Sequence, residues 1–301
     1  MKVIRAKVLG FCMGVRRAVD MAEGELRSGG RVCTMGPLIH NPQVLESLQR
    51  QGAEILNEDK LPENLAGVTV IIRAHGISPV LEDELKKRGA RIADATCLRV
   101  KASQMKARTL AAKGYTLFLA GEKKHGEVIG IQGYAKGIPN YAPGCIVIAE
   151  SGEAEHAAAD FYRNNPTAKT ALIGQTTIST EEYRTIGEGI KKFFPALEIA
   201  DTICGATRDR QEALRKLCGE VDAVIVAGGR ESANTRRLLA IAQAQNKPAW
   251  LVESSAEIPI EIALYNTVGL CAGASTPDET IDAIESALLA TGRSELPQKP
   301  S

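Results

Sequence analysis

The sequence repeats one pattern three times, and this repeat constrains the fold more than any other feature. In each copy a cysteine is followed, 28 residues later, by a polar residue in a loop near a glycine; the pairs are Cys12 and His40, Cys97 and His125, and Cys204 and Ser232. The segments that end at the second and third cysteines are closely similar, RIADATC and EIADTIC. We therefore expect three copies of one structural unit, without a long linker between them.

Short apolar segments alternate with segments of helical periodicity along most of the chain. The predicted strands are RVCTM, VTVIIRA, YTLFLAG, TALIGQ, DAVIVAGG and NTVGLCAG, and the clearest predicted helices are NPQVLESLQRQG, SPVLEDELKKRG and SANTRRLLAIAQAQ. This alternation predicts an α/β protein with parallel sheets covered by helices, in three similar lobes with a pseudo-threefold arrangement. The predicted bounds are 13–97, 98–203 and 204–288 for the lobes, with the N-terminal strand 1–12 in the third lobe and 289–301 as a C-terminal tail.

Each copy contains a third strand that is followed by small polar residues and a helix start, in RAHGISPVLEDEL, GQTTISTEEYRTI and AGASTPDETIDAI. Ser78, Ser179 and Ser275 occupy the point at which each helix should begin. Because serine side chains accept hydrogen bonds from free N–H groups at helix starts, we predict that these serines lie at or near the N-caps.

Composition excludes several classes of protein. The formal net charge of the 301 residues is +1, so no general electrostatic attraction to nucleic acid or to an anionic membrane is expected. No window of 18 residues is wholly apolar, and the charged start MKVIRAKVLGF is unlike a signal peptide, which predicts a cytoplasmic protein. Seven cysteines without a CxxC pair argue against a disulfide framework, a zinc ribbon and a thioredoxin-type site.

Three of the cysteines are candidate metal ligands. In parallel α/β folds the loops at the carboxyl ends of the strands carry the functional residues, so the repeat predicts that Cys12, Cys97 and Cys204 converge. Three thiolates without a fourth suit an iron–sulfur cluster with one open iron better than structural zinc. The remaining cysteines lie in strand or helix patterns and are expected to be packing residues; they are Cys33, Cys145, Cys218 and Cys271.

Polar residues of the three copies form a second candidate group. They are rich in neutral or titratable hydrogen-bond donors and poor in lysine and arginine: His40, His75, His125, Thr176, Ser232, Asn234 and Ser275. Such donors, together with helix N-termini, can bind a diphosphate. Glu127 is the one carboxylate close to this group, and near a bound anion it could hold and deliver a proton.

These motifs together resemble one enzyme family. GFCMGVRRAV, GPLIHNPQV, RAHGIS, DATC, HGEV, QTTIS, DTICGAT, SAN and AGAST occur in the order found in the 4-hydroxy-3-methylbut-2-enyl diphosphate reductases, the IspH/LytB family, over residues 8–285. The resemblance implies a protein of three α/β lobes around a central [4Fe–4S] cluster. It also implies an iron–sulfur oxidoreductase of the methylerythritol phosphate pathway of isoprenoid biosynthesis, which removes the substrate hydroxyl as water and forms isopentenyl and dimethylallyl diphosphate.

The resemblance also implies roles for individual residues. Cys12, Cys97 and Cys204 would ligate the cluster, and the substrate hydroxyl would reach the open iron. His40, His75, Ser232, Asn234 and Ser275 would bind the diphosphate of this small allylic substrate. Glu127 would donate the proton, His125 would bind substrate and relay protons, and Thr176 would bind the substrate hydroxyl. A ferredoxin or flavodoxin would supply the electrons; neither nucleic acid nor membrane is an expected partner.

The chain departs from the family pattern at four places. Ala233 replaces a serine, and the loss of one hydrogen bond would cost about 0.5–1.5 kcal/mol of binding free energy. Gly126 replaces a proline between His125 and Glu127, and Leu98 and Arg99 stand where proline and leucine are usual. Gly205 replaces an aromatic residue. None of these changes removes a predicted ligand or acid.

Three other functions are compatible with parts of the sequence. A cysteine phosphatase would use CMGVRRA as its phosphate loop, but only one of the three cysteines, Cys12, is followed by arginines in this way. An iron–sulfur sensor without catalysis accounts for the cysteines but not for Glu127. A nucleotide-binding module would need a GxGxxG motif or a P-loop lysine, and VAGGRESAN has neither.

Overall fold

Twelve strands and ten α-helices alternate in the computed structural model, which describes residues 1–138 and 144–291. The strands are β1 (Lys2–Arg5), β2 (Arg31–Met35), β3 (Glu54–Leu56), β4 (Val68–Ile72), β5 (Arg91–Asp94), β6 (Thr116–Ala120), β7 (Cys145–Ile148), β8 (Thr170–Gly174), β9 (Glu198–Ile199), β10 (Ala223–Ala227), β11 (Ala249–Val252) and β12 (Thr267–Ala272). The helices are α1 (Met13–Arg27), α2 (Pro42–Arg50), α3 (Pro79–Lys87), α4 (Leu98–Ala112), α5 (Gly126–Lys136), α6 (Ala154–Asn164), α7 (Thr180–Lys191), α8 (Gly205–Cys218), α9 (Ala233–Ala244) and α10 (Asp278–Thr291).

The strands form three parallel sheets with the same internal order. The orders are β3-β2-β4-β5, β7-β6-β8-β9 and β11-β10-β12-β1. In the third sheet the strand at the last position comes from the chain start, because β1 pairs in parallel with β12 and Lys2 lies opposite Thr267. The three α/β lobes predicted from the repeat are therefore present.

The chain divides into two compact units. One comprises Met1–Met13, His40–Val44 and the described residues from Gly205 onward, and it contains the sheet of β1, β10, β11 and β12. The other comprises Gly14–Ile39 and Leu45–Cys204, and it contains the other two sheets.

The central strands form the cores of the lobes. Every residue of β4, β6, β8 and β10 is buried, as expected for strands of a parallel sheet that helices cover on both faces. In the lobe of β6 and β8, Phe118 and Leu172 pack with Ile186 and Ile190 of α7. The continuous apolar segments of the sequence correspond to these strands.

Two of the three predicted helix caps are confirmed. The Ser78 hydroxyl accepts a hydrogen bond from the Leu81 N–H at 3.3 Å, and the Ser179 hydroxyl accepts one from the Glu182 N–H at 3.1 Å. Ser275 differs, because α10 begins only at Asp278 and the Ser275 hydroxyl instead donates to the carbonyl oxygen of His40 at 3.1 Å. This serine is bonded to a residue of the candidate site.

Helix α10 continues through Thr291, three residues into the segment predicted as a tail, and residues 292–301 lie outside the described residues. No helix in the described ranges combines the length and apolar character needed to cross a membrane.

Two glycines of α1 should respond in opposite directions to the same substitution. A Cβ at Gly24 would have no neighbour within 4 Å, so Gly24→Ala should raise the free energy of unfolding by about 0.5–1 kcal/mol through improved helix propensity. A Cβ at Gly14 would lie 2.5 Å from Cys97 Sγ, so Gly14→Ala should lower it. Urea unfolding of both variants measures the difference, and equal shifts would contradict the packing at Gly14.

Candidate functional site

The three repeated cysteines occupy equivalent backbone positions. Each lies directly before an α-helix: Cys12 before α1, Cys97 before α4 and Cys204 before α8. Each donates its N–H to the carbonyl oxygen two residues beyond the third strand of a repeat, in the pairs Cys12–Ala274 (3.1 Å), Cys97–Ala74 (3.0 Å) and Cys204–Thr176 (2.9 Å). This shared hydrogen bond holds each thiol in a loop at the carboxyl ends of the strands.

The exposure of these thiols differs from that of the three buried cysteines, Cys33, Cys218 and Cys271. Cys12, Cys97 and Cys204 are partly exposed, and none forms a disulfide. Burial instead raises the pKa of the thiols of Cys33, Cys218 and Cys271, which keeps them protonated, and these side chains pack in the cores as expected. The accessible thiols of the loops are therefore the ones suited to bind a soft metal centre.

The loop of Cys97 is fitted closely against the start of α1. The absence of a side chain at Gly14 leaves room for Cys97 Sγ, since a Cβ there would lie 2.5 Å from the sulfur. Arg17, one turn further along, donates to the carbonyl oxygens of Thr96 at 3.2 Å and Asp94 at 3.1 Å. The residues present thus hold the thiol in a defined place without covering it, which fits a metal-ligating role.

Glu127 and Thr176 form a buried hydrogen-bonded pair. Glu127 is 1% exposed and Thr176 5% exposed. The Thr176 N–H donates to Glu127 Oε1 at 2.7 Å, and the Thr176 hydroxyl donates to Oε2 at 3.0 Å. Because the Thr176 carbonyl accepts the N–H of Cys204, one residue connects the carboxyl group to a cysteine loop.

Two histidines lie beside this pair in the same unit. His125 is the N-cap of α5, and its Nδ1 accepts the N–H of Glu127 at 3.2 Å. In a neutral His125 this bond assigns the proton to Nε2. The ring of His75 lies edge-to-face with that of His125, with 5.1 Å between centroids. Glu127, Thr176, His75 and His125 are therefore gathered at the strand ends of one unit.

The other unit gathers a set of hydrogen-bond donors around the start of α9. Ser232 is the N-cap, and its hydroxyl accepts the Thr235 N–H at 3.3 Å. Asn234 follows in the first turn, which contains no acidic residue. His40 belongs to the same unit and is bonded through its carbonyl to Ser275.

The amide of Asn234 has an unused donor. The residue is 5% exposed, and within the described part of the chain its Nδ2 has no hydrogen-bond partner. A buried donor without a partner is costly unless a ligand or water satisfies it. Together with the N–H groups at the start of α9, it forms a site that suits an anion.

The predicted site residues thus fall into two sets. Cys97, Cys204, His75, His125, Glu127 and Thr176 lie in one unit, and Cys12, His40, Ser232, Asn234 and Ser275 lie in the other. Within each unit the predicted residues occupy strand-end loops or helix starts. Convergence of all three cysteines on one centre stays a prediction.

One residue beside the site was missed by the sequence interpretation. The guanidinium of Arg73 lies against Gly126, where an added Cβ would be 2.7 Å from Nη2. This contact also gives a physical reason for glycine between His125 and Glu127. The available signal was Arg73 itself, which follows the apolar segment VTVII and directly precedes AHG.

Comparisons with known proteins agree with this geometry. A family model described as LytB protein matches residues 3–289. The 4-hydroxy-3-methylbut-2-enyl diphosphate reductase of Treponema denticola is 45% identical over 296 residues, which cover 96% of this chain and 99% of that protein.

Two solved structures are similar as well. The Plasmodium falciparum E-1-hydroxy-2-methyl-but-2-enyl-4-diphosphate reductase has a TM-score of 0.84 at 28% identity, covering 95% of this chain and 87% of that one. A structure of (E)-4-hydroxy-3-methyl-but-2-enyl diphosphate reductase, described as the terminal enzyme of the non-mevalonate pathway, has a TM-score of 0.67 at 37% identity, covering 96% and 100%. The match of the family model over nearly the whole chain, with these relatives, means that the chain belongs to the LytB protein family.

Proposed function

We propose that this protein reduces 4-hydroxy-3-methylbut-2-enyl diphosphate to isopentenyl and dimethylallyl diphosphate. The proposal is supported by the reductase names of its full-length relatives and by the two sets of site residues. The reaction replaces a carbon–oxygen bond with a carbon–hydrogen bond and releases water, so it consumes two electrons and two protons. The site must therefore provide a redox group, an anion site and a proton donor.

The redox group proposed is one [4Fe–4S] cluster held by Cys12, Cys97 and Cys204. The fit rests on three accessible thiols with equivalent backbone hydrogen bonds, and on the space beside Cys97 that Gly14 leaves. When bound, the cluster would supply the electrons of the reduction. We propose a ferredoxin or flavodoxin as the protein that reduces it.

The substrate diphosphate is proposed to bind the donors of His40, His75, Ser232, Asn234 and Ser275. The start of α9 carries no carboxylate in its first turn, and the buried Asn234 amide has a free donor. Neutral donors and a helix N-terminus bind an anion without adding a fixed positive charge.

Glu127 is proposed to deliver a proton to the allylic group, with Thr176 and His125 holding it in position. The carboxyl group is buried, and both of its oxygens accept hydrogen bonds from Thr176. A carboxyl group held in this way has a fixed position from which it could exchange a proton with a bound substrate, which is what a general acid requires. The Thr176 hydroxyl can turn from Glu127 to the substrate hydroxyl, and this would bring the acid and the leaving oxygen into one hydrogen-bonded chain.

The single observation that carries the proposal is the link from Glu127 through Thr176 to the Cys204 loop. A sensor that only holds a cluster has no use for a buried acid fixed to a ligand loop. A reductase would use both the cluster and the buried acid.

Replacement of one proposed ligand should remove the cluster. Cys97→Ser should lose most of its iron and its visible absorbance after anaerobic purification and reconstitution, because a serine hydroxyl is a poor ligand for iron–sulfur iron. Cys145→Ser, in the edge strand β7, is the matched control and should keep both. A fully loaded Cys97→Ser variant would exclude Cys97 as a ligand.

Replacement of the proposed acid should stop turnover without affecting the cluster. Glu127→Gln keeps the shape of the side chain but cannot donate a carboxyl proton, so kcat should fall by about 100-fold to 10,000-fold. The iron content and the EPR spectrum of the reduced cluster should be unchanged. Glu181→Gln, at an exposed position in the first turn of α7, should have wild-type kcat. Wild-type kcat in Glu127→Gln would refute the assigned role.

Loss of the unused amide should weaken substrate binding. Asn234→Ala removes a donor to a charged group, worth about 1.5–3 kcal/mol, so KM should rise about tenfold or more while iron content stays unchanged. Gln245→Ala, an exposed amide at the other end of α9, is the control. Steady-state kinetics with the hydroxylated diphosphate measures both, and an unchanged KM in Asn234→Ala would remove Asn234 from the proposed anion site.

A further inference from the structure

Arg73 is a partly buried cation that the proposed reaction does not use. It directly follows β4, and its Nε donates to the carbonyl oxygen of Gly76 at 3.3 Å, across a turn that also contains the Gly76 N–H bond to the Arg73 carbonyl at 2.9 Å. Among residues 1–138 and 144–291 no carboxylate forms an ion pair with it. Burial lowers the pKa of its guanidinium, and the charge of Glu58 only opposes that shift.

The guanidinium fills the space of two absent side chains. A Cβ on Gly36, in the loop after β2, would lie 2.6 Å from Nη1. A Cβ on Gly126, the first residue of α5, would lie 2.7 Å from Nη2 and 2.9 Å from Cζ. The planar group therefore lies between these two backbone segments, and neither position can carry a larger residue without displacing it.

Local stability does not explain this placement. A positive charge at a helix N-terminus interacts unfavourably with the helix dipole, and a buried cation without a carboxylate is costly. The segments that Arg73 contacts are, however, those that hold the candidate catalytic groups. Gly126 lies between His125 and Glu127, and Gly76 directly follows His75.

We propose that Arg73 is a positioning residue that fixes the first turn of α5 against the turn of His75. It does so through the hydrogen bond to Gly76 and the contact with Gly126, and it thereby sets the relative positions of His75, His125 and Glu127. Glycine at 126 leaves the space that the guanidinium of Arg73 occupies. The expected loss of kcat rests on the proposed function. The expected effect on the first turn of α5 does not.

The test is a double-mutant cycle in the cluster-loaded protein, prepared anaerobically. Arg73→Ala and Gly126→Ala should each lower kcat per cluster by about tenfold, with iron content unchanged, because a small displacement of the acid slows proton delivery. The double variant should be at most about twofold slower than the slower single variant, since both changes remove the same contact. Arg73→Lys, which keeps a donor and the charge, should recover most of the lost kcat.

Hydrogen–deuterium exchange gives a readout that does not require turnover. The first turn of α5 is closed by the N–H of Glu127 to His125 Nδ1 and by the N–H of Ile129 to the His125 carbonyl. A peptide covering residues 122–131 should exchange faster in Arg73→Ala than in the wild type. Arg50→Ala, an exposed arginine at the end of α2, and Gly24→Ala, with open space around the glycine, should match the wild type in exchange and in kcat.

Several outcomes would overturn the proposal. If Arg73→Ala lowers the thermal midpoint of unfolding but leaves kcat per cluster unchanged, Arg73 contributes to stability only. If the loss of kcat in the double variant equals the product of the two single losses, the contact with Gly126 is not the cause. Slower turnover without faster exchange at 122–131 would also contradict it. If Arg73→Ala does not fold, Gly126→Ala in the arginine and lysine backgrounds tests the same contact. If the wild-type protein does not reduce the hydroxylated diphosphate, the proposed function is refuted. The exchange data would still test whether Arg73 fixes the first turn of α5.

Discussion

The same backbone hydrogen bond occurs three times in this protein and fixes the loops of the three repeated cysteines. The N–H of each repeated cysteine donates to the carbonyl two residues beyond a central strand, and a helix begins at the next residue. The bond fixes the loop through backbone atoms and does not involve the thiol. Because the bond involves only backbone atoms, it is insensitive to the side chains around it, and the three copies keep one geometry although their sequences differ.

Two hydrogen bonds from Thr176 compensate the burial of Glu127. A carboxyl group that is 1% exposed needs hydrogen bonds in either protonation state, and Thr176 provides one from its N–H and one from its hydroxyl. The N–H bond is fixed by the strand end, whereas the hydroxyl can rotate. The carboxyl group is therefore held by one donor fixed in the backbone and by a second donor that can rotate.

The sequence was sufficient to predict the features that depend on local pattern. Every residue of the central strands β4, β6, β8 and β10 is buried, so these strands were visible as apolar segments, whereas the edge strands β3 and β9 have only three and two residues and expose most of them. Spacing, together with the similar segments RIADATC and EIADTIC, aligned the cysteines, because the repeat preserves chain length between equivalent loops. It did not identify Arg73, because its contact with Gly126 joins residues that are distant in the sequence. Ser275 was expected at or near a helix N-cap. It lies three residues before the start of α10, and its hydroxyl bonds to His40 and not to the helix start.

The three copies share a backbone pattern but carry different side chains at the equivalent helix starts. At 28 residues after the cysteine, His125 and Ser232 are the N-caps of α5 and α9, while in the first copy α2 begins one residue later and Asn41 caps it through its bond from the Val44 N–H. Two residues beyond the cap, α5 carries Glu127 and α9 carries Asn234. A carboxylate at a helix start repels an anion, whereas an amide with a free donor attracts one. Equivalent positions of the repeat therefore carry a carboxyl group in one copy and an amide with an unused donor in another, so the copies share a backbone frame but differ in the groups they present at the helix start.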